Sequence, residues 1–550
     1  MSGTLLDRFL ERAARHGERE ALRLLVEGGA AAEASWTWAE WERASRQVAG
    51  ALLATGMTPG SRIAILAGNR PLWPIADLGI LMAGMVSVGI YPTSAPGQVH
   101  RMLEDCGAEL LLVDSAEQLD KVPPGCAVVA IDEVAAGRTT RWSEWLATGA
   151  PALGEGPLAG RVIERIDAAR PDDAAILIYT SGSTGESKGA ILTHRYLSAS
   201  AAAIRDHLGF TDSDSSLSFL PFSHAAERVF GLYTRIEAGM ACALVLDHTR
   251  IAESARAYQP TIFGGLPRLL EKAAETIRAA GPGAGLSAYF GGRVRLATSG
   301  GASFPAGAVR VLNDLGLEVL GGYGLTEHLC VSMHRPGRSD HDTAGEPIGG
   351  TRVEVAPDGE LLVRRSSLTF AGYFGRPDET RAAFTDDGEW LRTGDLGEVT
   401  STGRIRITGR KKELIALSTG KKVAPLPIEA RLAEEPLIAQ AMLFGESRPF
   451  IAALVWPRRG ALERWARTEG IDGTWPALLR QSRVRDALQG AIDRVNAGLS
   501  RPEQIRAWSL LEREPTTESD ELTPTLKLRR SVIAERHRDR FDALYQGRKS

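Results

Sequence analysis

A short run of hydroxyls and glycines, closed by a lysine, is the most chemically suggestive feature of this 550-residue chain. It reads Ile176-Leu-Ile-Tyr-Thr-Ser-Gly-Ser-Thr-Gly-Glu-Ser-Lys-Gly189. Apolar residues lead in, as in a buried strand. Gly182 and Gly185 let the backbone approach an anion and take conformations closed to other residues. Exposed amides in such a loop form an anion-binding nest. Thr180, Ser181, Ser183 and Thr184 add hydroxyl donors, and Lys188 adds a mobile positive charge. The chemistry this suits is phosphate binding. A Ser/Gly run alone is also ordinary turn composition. The strand before it, the lysine within it and the helix-like stretch from Ile191 after it favour phosphate. The loop is not of Walker A type, since two residues separate Gly185 from Lys188. The DFG signature of kinases is absent as well.

The segment YTSGSTGESKGAILTH resembles the signature of the adenylate-forming (ANL) superfamily, which holds acyl-CoA synthetases, peptide-synthetase adenylation domains and luciferases. The resemblance implies roles for five further segments. Gly322-Tyr323-Gly324-Leu325-Thr326-Glu327 is similar to the family's adenine and metal segment. Tyr323 would stack on adenine and Thr326 would bond the α-phosphate. Glu327, with Thr184, would hold Mg²⁺, which prefers oxygen ligands. Gly301 and Ala302 would line the base and the acyl pocket. Asp395, in LRTGD, would accept the ribose hydroxyls, with Ile407 and Arg410 beside the nucleotide. His224, in LPFSHAAERVFG, would flank the acyl carboxylate, although a lone histidine is usually structural. Lys527, in LTPTLK, would meet the substrate carboxylate. Many relatives have glycine before that lysine; this chain has Leu526.

The implied reaction has two steps on one site. A carboxylate first takes AMP from ATP, and the acyl group then passes to a thiol such as coenzyme A. The family's small C-terminal domain rotates between the steps. By motif the hinge is Lys412, and the turn with Ser418, Gly420 and Lys421 would face the site for thiolation. IYPTSAPGQV, FAGYFGRPDET and LTPTLKLRR resemble the long-chain fatty acyl-CoA ligase branch, which implies a medium- or long-chain fatty acid. Ala225, Ala226, Val229 and Phe230 suit a tunnel lining, with Arg228 near the tunnel mouth. Loading of an acyl carrier protein, an aryl or unusual acid, and a non-catalytic nucleotide-binding regulator remain alternative readings.

The elements that must position these residues alternate strand and helix. VAGALLATGM reads as helix, SRIAILAGN as strand, and PLWPIADLGILMAGM as helix leading into the strand VSVGIYPT. QVHRMLEDCG and AELLLVD continue the alternation, which implies parallel sheets covered by helices. Ligand sites in such folds lie beyond the carboxyl ends of strands. From Val353 the pattern turns to hairpins, with turns at Asp358-Gly359 and Thr402-Gly403. The expected fold is α/β. A large N-terminal domain of stacked α/β subdomains with a small β-barrel-like region spans residues 1–409. Residues 410–412 are the hinge, and a small mobile α+β domain spans 413–550.

Bulk properties narrow the partners. The chain is 43% hydrophobic and 24% charged, as in a soluble globular protein. A net charge of −3 gives no overall electrostatic case for nucleic acid. Four scattered cysteines fit a reducing compartment, so a cytoplasmic protein is expected. Ile75 to Ile90 is short for a bilayer span of ~20 residues and contains Asp77, so it reads as buried helix and strand. The basic C-terminal tail allows either peripheral contact with anionic lipid or a solvated helix. Oligomeric state is not legible.

Overall fold

The computed structural model describes residues 3–25, 32–134, 137, 139–181, 187–281, 283–301, 306–516, 519, 521–522 and 528–546. Among these, the strands form five sheets. An eight-stranded sheet is parallel through its centre, where strands at 62–66, 110–113 and 128–130 flank one another. Apart from Arg62, their residues are buried along the whole strand, because helices cover both faces. Helix α1 (Leu72–Met82) is wholly buried and leads into β1 (Val86–Gly89). This is the arrangement expected for Ile75 to Ile90. Strand β2 (Ala174–Ser181) lies parallel to β1.

The sequence after the phosphate loop departs from expectation. Ser187–Thr193 forms strand β3, antiparallel to β2, and helix α2 begins only at His194 and runs to Leu208. The loop therefore joins a β-hairpin, not a strand to a helix. Ala190, Ile191 and Leu192 satisfy a strand pattern. The Thr193 hydroxyl accepts from the Tyr196 amide, which starts the helix there.

A nine-stranded sheet stacks with the first around a shared core. Its parallel centre includes β4 (Ser215–Ser218), β5 (Leu296–Gly300) and β6 (Glu318–Leu325). Antiparallel β7 (His328–Met333) follows β6 by a tight turn. Between β4 and β5, residues Ala226–Tyr233 wind as a π-helix that continues as α3 (Thr234–Ala238). A four-stranded antiparallel sheet forms the small β region and contains β8 (Trp390–Val399) and β9 (Ile405–Arg410).

Residues beyond 411 build their own core. Ile415 to Ile505 supply one buried cluster against a three-stranded sheet. The basic tail forms helices Arg530–Arg536 and Arg538–Tyr545, whose Ile533 and Phe541 pack on Met442, Leu454 and Trp456. These helices dock by one apolar face; Arg536, Arg538 and Arg540 are exposed, whereas Arg530 turns inward to the buried Glu429.

Candidate active site

One cavity of about 1240 Å³ gathers most of the expected site residues that are among the described ones. It opens beyond the carboxyl ends of β2, β5 and β6 and has two chemically distinct ends.

The polar end carries Thr180, Ser187 and Lys188 from the hairpin, Gly300 and Gly301 from the end of β5, and Gly322 to Glu327. Lys188 Nζ lies 4.0 Å from Glu379 and 5.4 Å from the Tyr373 ring centre. The Tyr373 hydroxyl donates to Glu327 Oε1 at 2.5 Å, and its own proton is held more tightly by burial and by that carboxylate. One mobile cation and one carboxylate thus share an aromatic partner. The backbone carbonyl of Thr326 accepts from the buried Tyr196 hydroxyl at 2.8 Å, which pins the segment. Gly324 admits no side chain, since a Cβ there would sit 1.5 Å from the Leu329 carbonyl oxygen. Gly301 takes φ +79°, a conformation that favours glycine.

Asp395 closes this end from behind. Its carboxylate is 4% exposed. Oδ2 accepts from the Tyr323 hydroxyl at 2.7 Å and Oδ1 from Arg410 Nε at 2.6 Å. Burial, with the Asp395 charge, raises the Tyr323 pKa well above its usual value, so the phenol is a committed donor. Tyr323 and Arg410 lie on the cavity wall, whereas Asp395 lies behind them. Ile407 is half-buried on β9, paired with Gly397, and is not on the wall.

The apolar end is lined by Phe210, Phe230, Met240, Ile262, Leu329 and Met333. His224 stands between the two ends, its ring edge-on to Tyr91. Its Nδ1 accepts from the Ala226 amide at 3.1 Å, which places the proton of the neutral ring on Nε2. Ala225, Ala226 and Phe230 line the cavity as expected. Val229 does not, being buried in the core. Arg228 is not at a mouth either: it is 0% exposed and pairs with Asp77 of α1, also 0% exposed. A buried guanidinium needs a buried carboxylate, and α1 supplies it.

Lys412 lies on the cavity wall in a short 3₁₀ turn, Lys411–Glu413. Ser418, Gly420 and Lys421 form an exposed turn away from the cavity. Leu522 and Arg529 reach the cavity instead, one on each side of the segment that holds Lys527. Lys527 itself, with Gly182, Ser183, Thr184, Gly185 and Ala302, lies outside the described residues. Ser181 ends β2 opposite Ser187. Sequence reasoning missed Tyr373, Glu379 and Tyr196. The first two lie in FAGYFGRPDET, whose only sequence signal was its subgroup pattern.

Fold and cavity define an α/β enzyme whose two-ended cavity is walled by a Ser/Lys-bearing hairpin, with a separate C-terminal core. The AMP-binding enzyme family model matches residues 9–374, and the model of its C-terminal domain matches 412–549. The chain belongs to the AMP-binding enzyme family. It is 31% identical over 576 residues to the long-chain-fatty-acid–CoA ligase FadD15 of Mycobacterium bovis, covering 93% of this chain and 92% of that one. It is 29% identical to the long-chain-fatty-acid–CoA ligase ACSBG1 of Rattus norvegicus, covering 93% and 82%. A benzoate CoA ligase structure from Burkholderia xenovorans shares the fold at TM-score 0.77 and 21% identity, covering 96% and 99%.

Proposed function

We propose that the protein joins a medium- or long-chain fatty acid to coenzyme A through an acyl-AMP intermediate. The observation that carries this reading is the single cavity with a cationic, hydroxyl-rich end and an apolar end, joined at His224. The names of the relatives support the choice of acid and of thiol.

In the first step a carboxylate oxygen attacks the α-phosphorus of ATP. The α–β phosphoanhydride bond breaks and pyrophosphate leaves. Lys188 and the hairpin hydroxyls neutralise phosphate charge, and Lys527 the carboxylate. Asp395, behind the wall, holds Tyr323 and Arg410 in place at the nucleotide end. Glu327, with Thr184, would hold Mg²⁺, and the bound ion would supply charge neutralisation on the phosphates. The Glu327 carboxylate at the cavity wall fits this, because its hydrogen bond to Tyr373 orients it and leaves acceptor capacity. In the second step the thiol attacks the acyl carbon and the bond to AMP breaks. The thiol proton passes to solvent. Lys412 is the pivot that brings the Ser418–Lys421 turn to the cavity for this step.

A pyrophosphate-release screen over acids of graded chain length, with and without coenzyme A, tests the reading. Acid-dependent release with acyl-CoA as product is expected. Release without acyl-CoA points to carrier-protein loading, and preference for benzoate-type acids to an aryl ligase. No acid-dependent release overturns catalysis. Among the described residues no helix is long and apolar enough to cross a membrane.

A further inference from the structure

The π-helix that walls the apolar end is held by an unusual lock. Arg228 and Tyr233 stand five residues apart and meet the same partner, Asp77 of α1. Arg228 Nη2 donates to Asp77 Oδ1, and the Tyr233 hydroxyl donates to Oδ2 at 2.7 Å. Arg228 Nε in turn donates to the Tyr233 hydroxyl at 3.0 Å. Arg228 Nη2 also reaches the Ser87 hydroxyl of β1 at 2.6 Å, and its guanidinium lies 4.8 Å from the Trp73 ring centre. All of these groups are buried.

The spacing matters. A π-helix bonds i to i+5, so residues five apart stack on one face. In an α-helix each residue turns about 100°, which would leave the same two side chains about 140° apart. Asp77 can bind both only while the π-turn persists. The Thr234 hydroxyl, bonded to the Val229 carbonyl at 3.1 Å, repeats the same i, i+5 spacing.

A second buried pair clamps another face. Glu227 Oε1 accepts from Arg235 Nη1 at 2.6 Å and from the Ser218 hydroxyl of β4 at 2.7 Å. Arg235 also donates to the Ser216 hydroxyl and to the Leu217 carbonyl. The helix is thus fixed to α1 on one side and to β4 on another. Ala226, Phe230, Gly231 and Thr234 line the cavity, and the Glu227–Arg235 clamp borders it as well.

We propose that the Asp77–Arg228–Tyr233 lock sets acid selectivity by holding the π-register, which fixes Phe230 and Gly231 in the apolar wall. These three are positioning residues; none touches the cavity. The π-turn is the less favourable winding, so it persists only where the surroundings hold it. Without the lock the segment relaxes to an α-helix. The residues within the rewound segment, Phe230 and Gly231 among them, then face different directions. The wall changes shape at Phe230 while the nucleotide end does not.

The proposal rests on the apolar end being the acyl site. Asp77→Asn, Arg228→Lys and Tyr233→Phe are compared with the parent enzyme. Acid-dependent pyrophosphate release is measured for octanoate and palmitate, and ATP binding is measured by calorimetry without acid. The expected result is a shift of at least tenfold in the palmitate-to-octanoate ratio of kcat/KM in Asp77→Asn, with ATP affinity within about twofold. Tyr233→Phe, which removes one oxygen, shifts the ratio in the same direction and serves if Asp77→Asn does not fold. Equal losses on both acids, or an unchanged ratio, overturn the proposal. Amide exchange across residues 226–238 reads the register without catalysis. Faster exchange in the variants supports the lock, and parent-like exchange overturns it. A parent enzyme that turns over no acid refutes the proposed function, and exchange then still decides the lock.

Discussion

Replacing Asp395 by alanine should cripple use of ATP, and the structure sets the scale. The carboxylate is buried and accepts two hydrogen bonds, from Tyr323 and Arg410. A hydrogen bond to a charged group is worth about 1.5–3 kcal/mol. Tyr323 is half-buried, but its hydroxyl meets a carboxylate that is 4% exposed, so this bond counts at nearly full value. Arg410 is 47% exposed, so its pairing adds only about 0–1 kcal/mol. At about 1.4 kcal/mol per tenfold, the Tyr323 bond alone corresponds to a loss of roughly 10- to 100-fold in kcat/KM for ATP. Tyr323→Phe keeps the ring and removes only that bond, so it should lose a similar factor. The double variant should lose little more than the worse single one, because both remove one interaction. Initial rates of pyrophosphate release with saturating acid and varied ATP give all four values. Losses that simply multiply would break the link between the two residues. ATP use like the parent's in Asp395→Ala would remove the ribose assignment.

Lys527→Ala should abolish acyl-AMP formation from acid and ATP but retain much of the thiolation of supplied acyl-AMP; equal loss in both assays contradicts that division. Gly324→Ala should give little soluble protein, because its Cβ would sit 1.5 Å from the Leu329 carbonyl oxygen, and soluble yield with thermal melting checks this. Lys412→Pro, which fixes φ near −65° and removes a backbone donor, should change the two half-reactions unequally; proportional change in both argues against a pivot there. The buried His328, held between the Thr351 and Thr369 hydroxyls, has its pKa lowered to about 4 by burial. It is neutral in the fold, while an unfolded histidine gains a proton below about pH 6.5. Its contribution is therefore intact above pH 6.5 and is lost as pH falls towards 4. Melting temperatures between pH 7 and 4.5 should fall less steeply in His328→Gln than in the parent.

The fold was legible wherever burial imposed a period. The strands at 62–66 and 110–113 and helix α1 follow from predominantly apolar runs of the right length, even though α1 carries the buried Asp77. The sequence pointed to the cavity wall where small or charged residues stand in a row, as with Thr180 and Lys188 and with Gly322 to Glu327. Three features resisted. Strand β3 was hidden because Ile191 and Leu192 suit a helix as well as a strand, and the hairpin partner decided between them. Tyr373 was hidden because it reaches Glu327 from 46 residues away in sequence. Arg228 was misplaced because its partner, Asp77, lies 151 residues earlier. Local pattern carries no information about pairings at that distance.

The linking segment shows where a rotation would have to occur. Arg410 is tied to Asp395, and Lys411 Nζ lies 2.9 Å from Glu360 and 2.5 Å from Asp358. These anchors belong to the four-stranded sheet. Glu413 lies on the other side of Lys412 and faces Arg530, 3.6 Å away, in the C-terminal part. Consecutive residues are thus held by opposite bodies, with Lys412 between them. A rotation that keeps both sets of anchors must be absorbed in the backbone there. Contacts further out would have to break, namely Arg458 with Glu271 and Glu275, and Arg268 with Glu514. Those pairs lie 3.3–3.9 Å apart and are solvent-accessible, so each is worth at most about 1 kcal/mol. Pairings to a different body on each side of Lys412, with only solvent-accessible ion pairs further out, are what a turning unit would require.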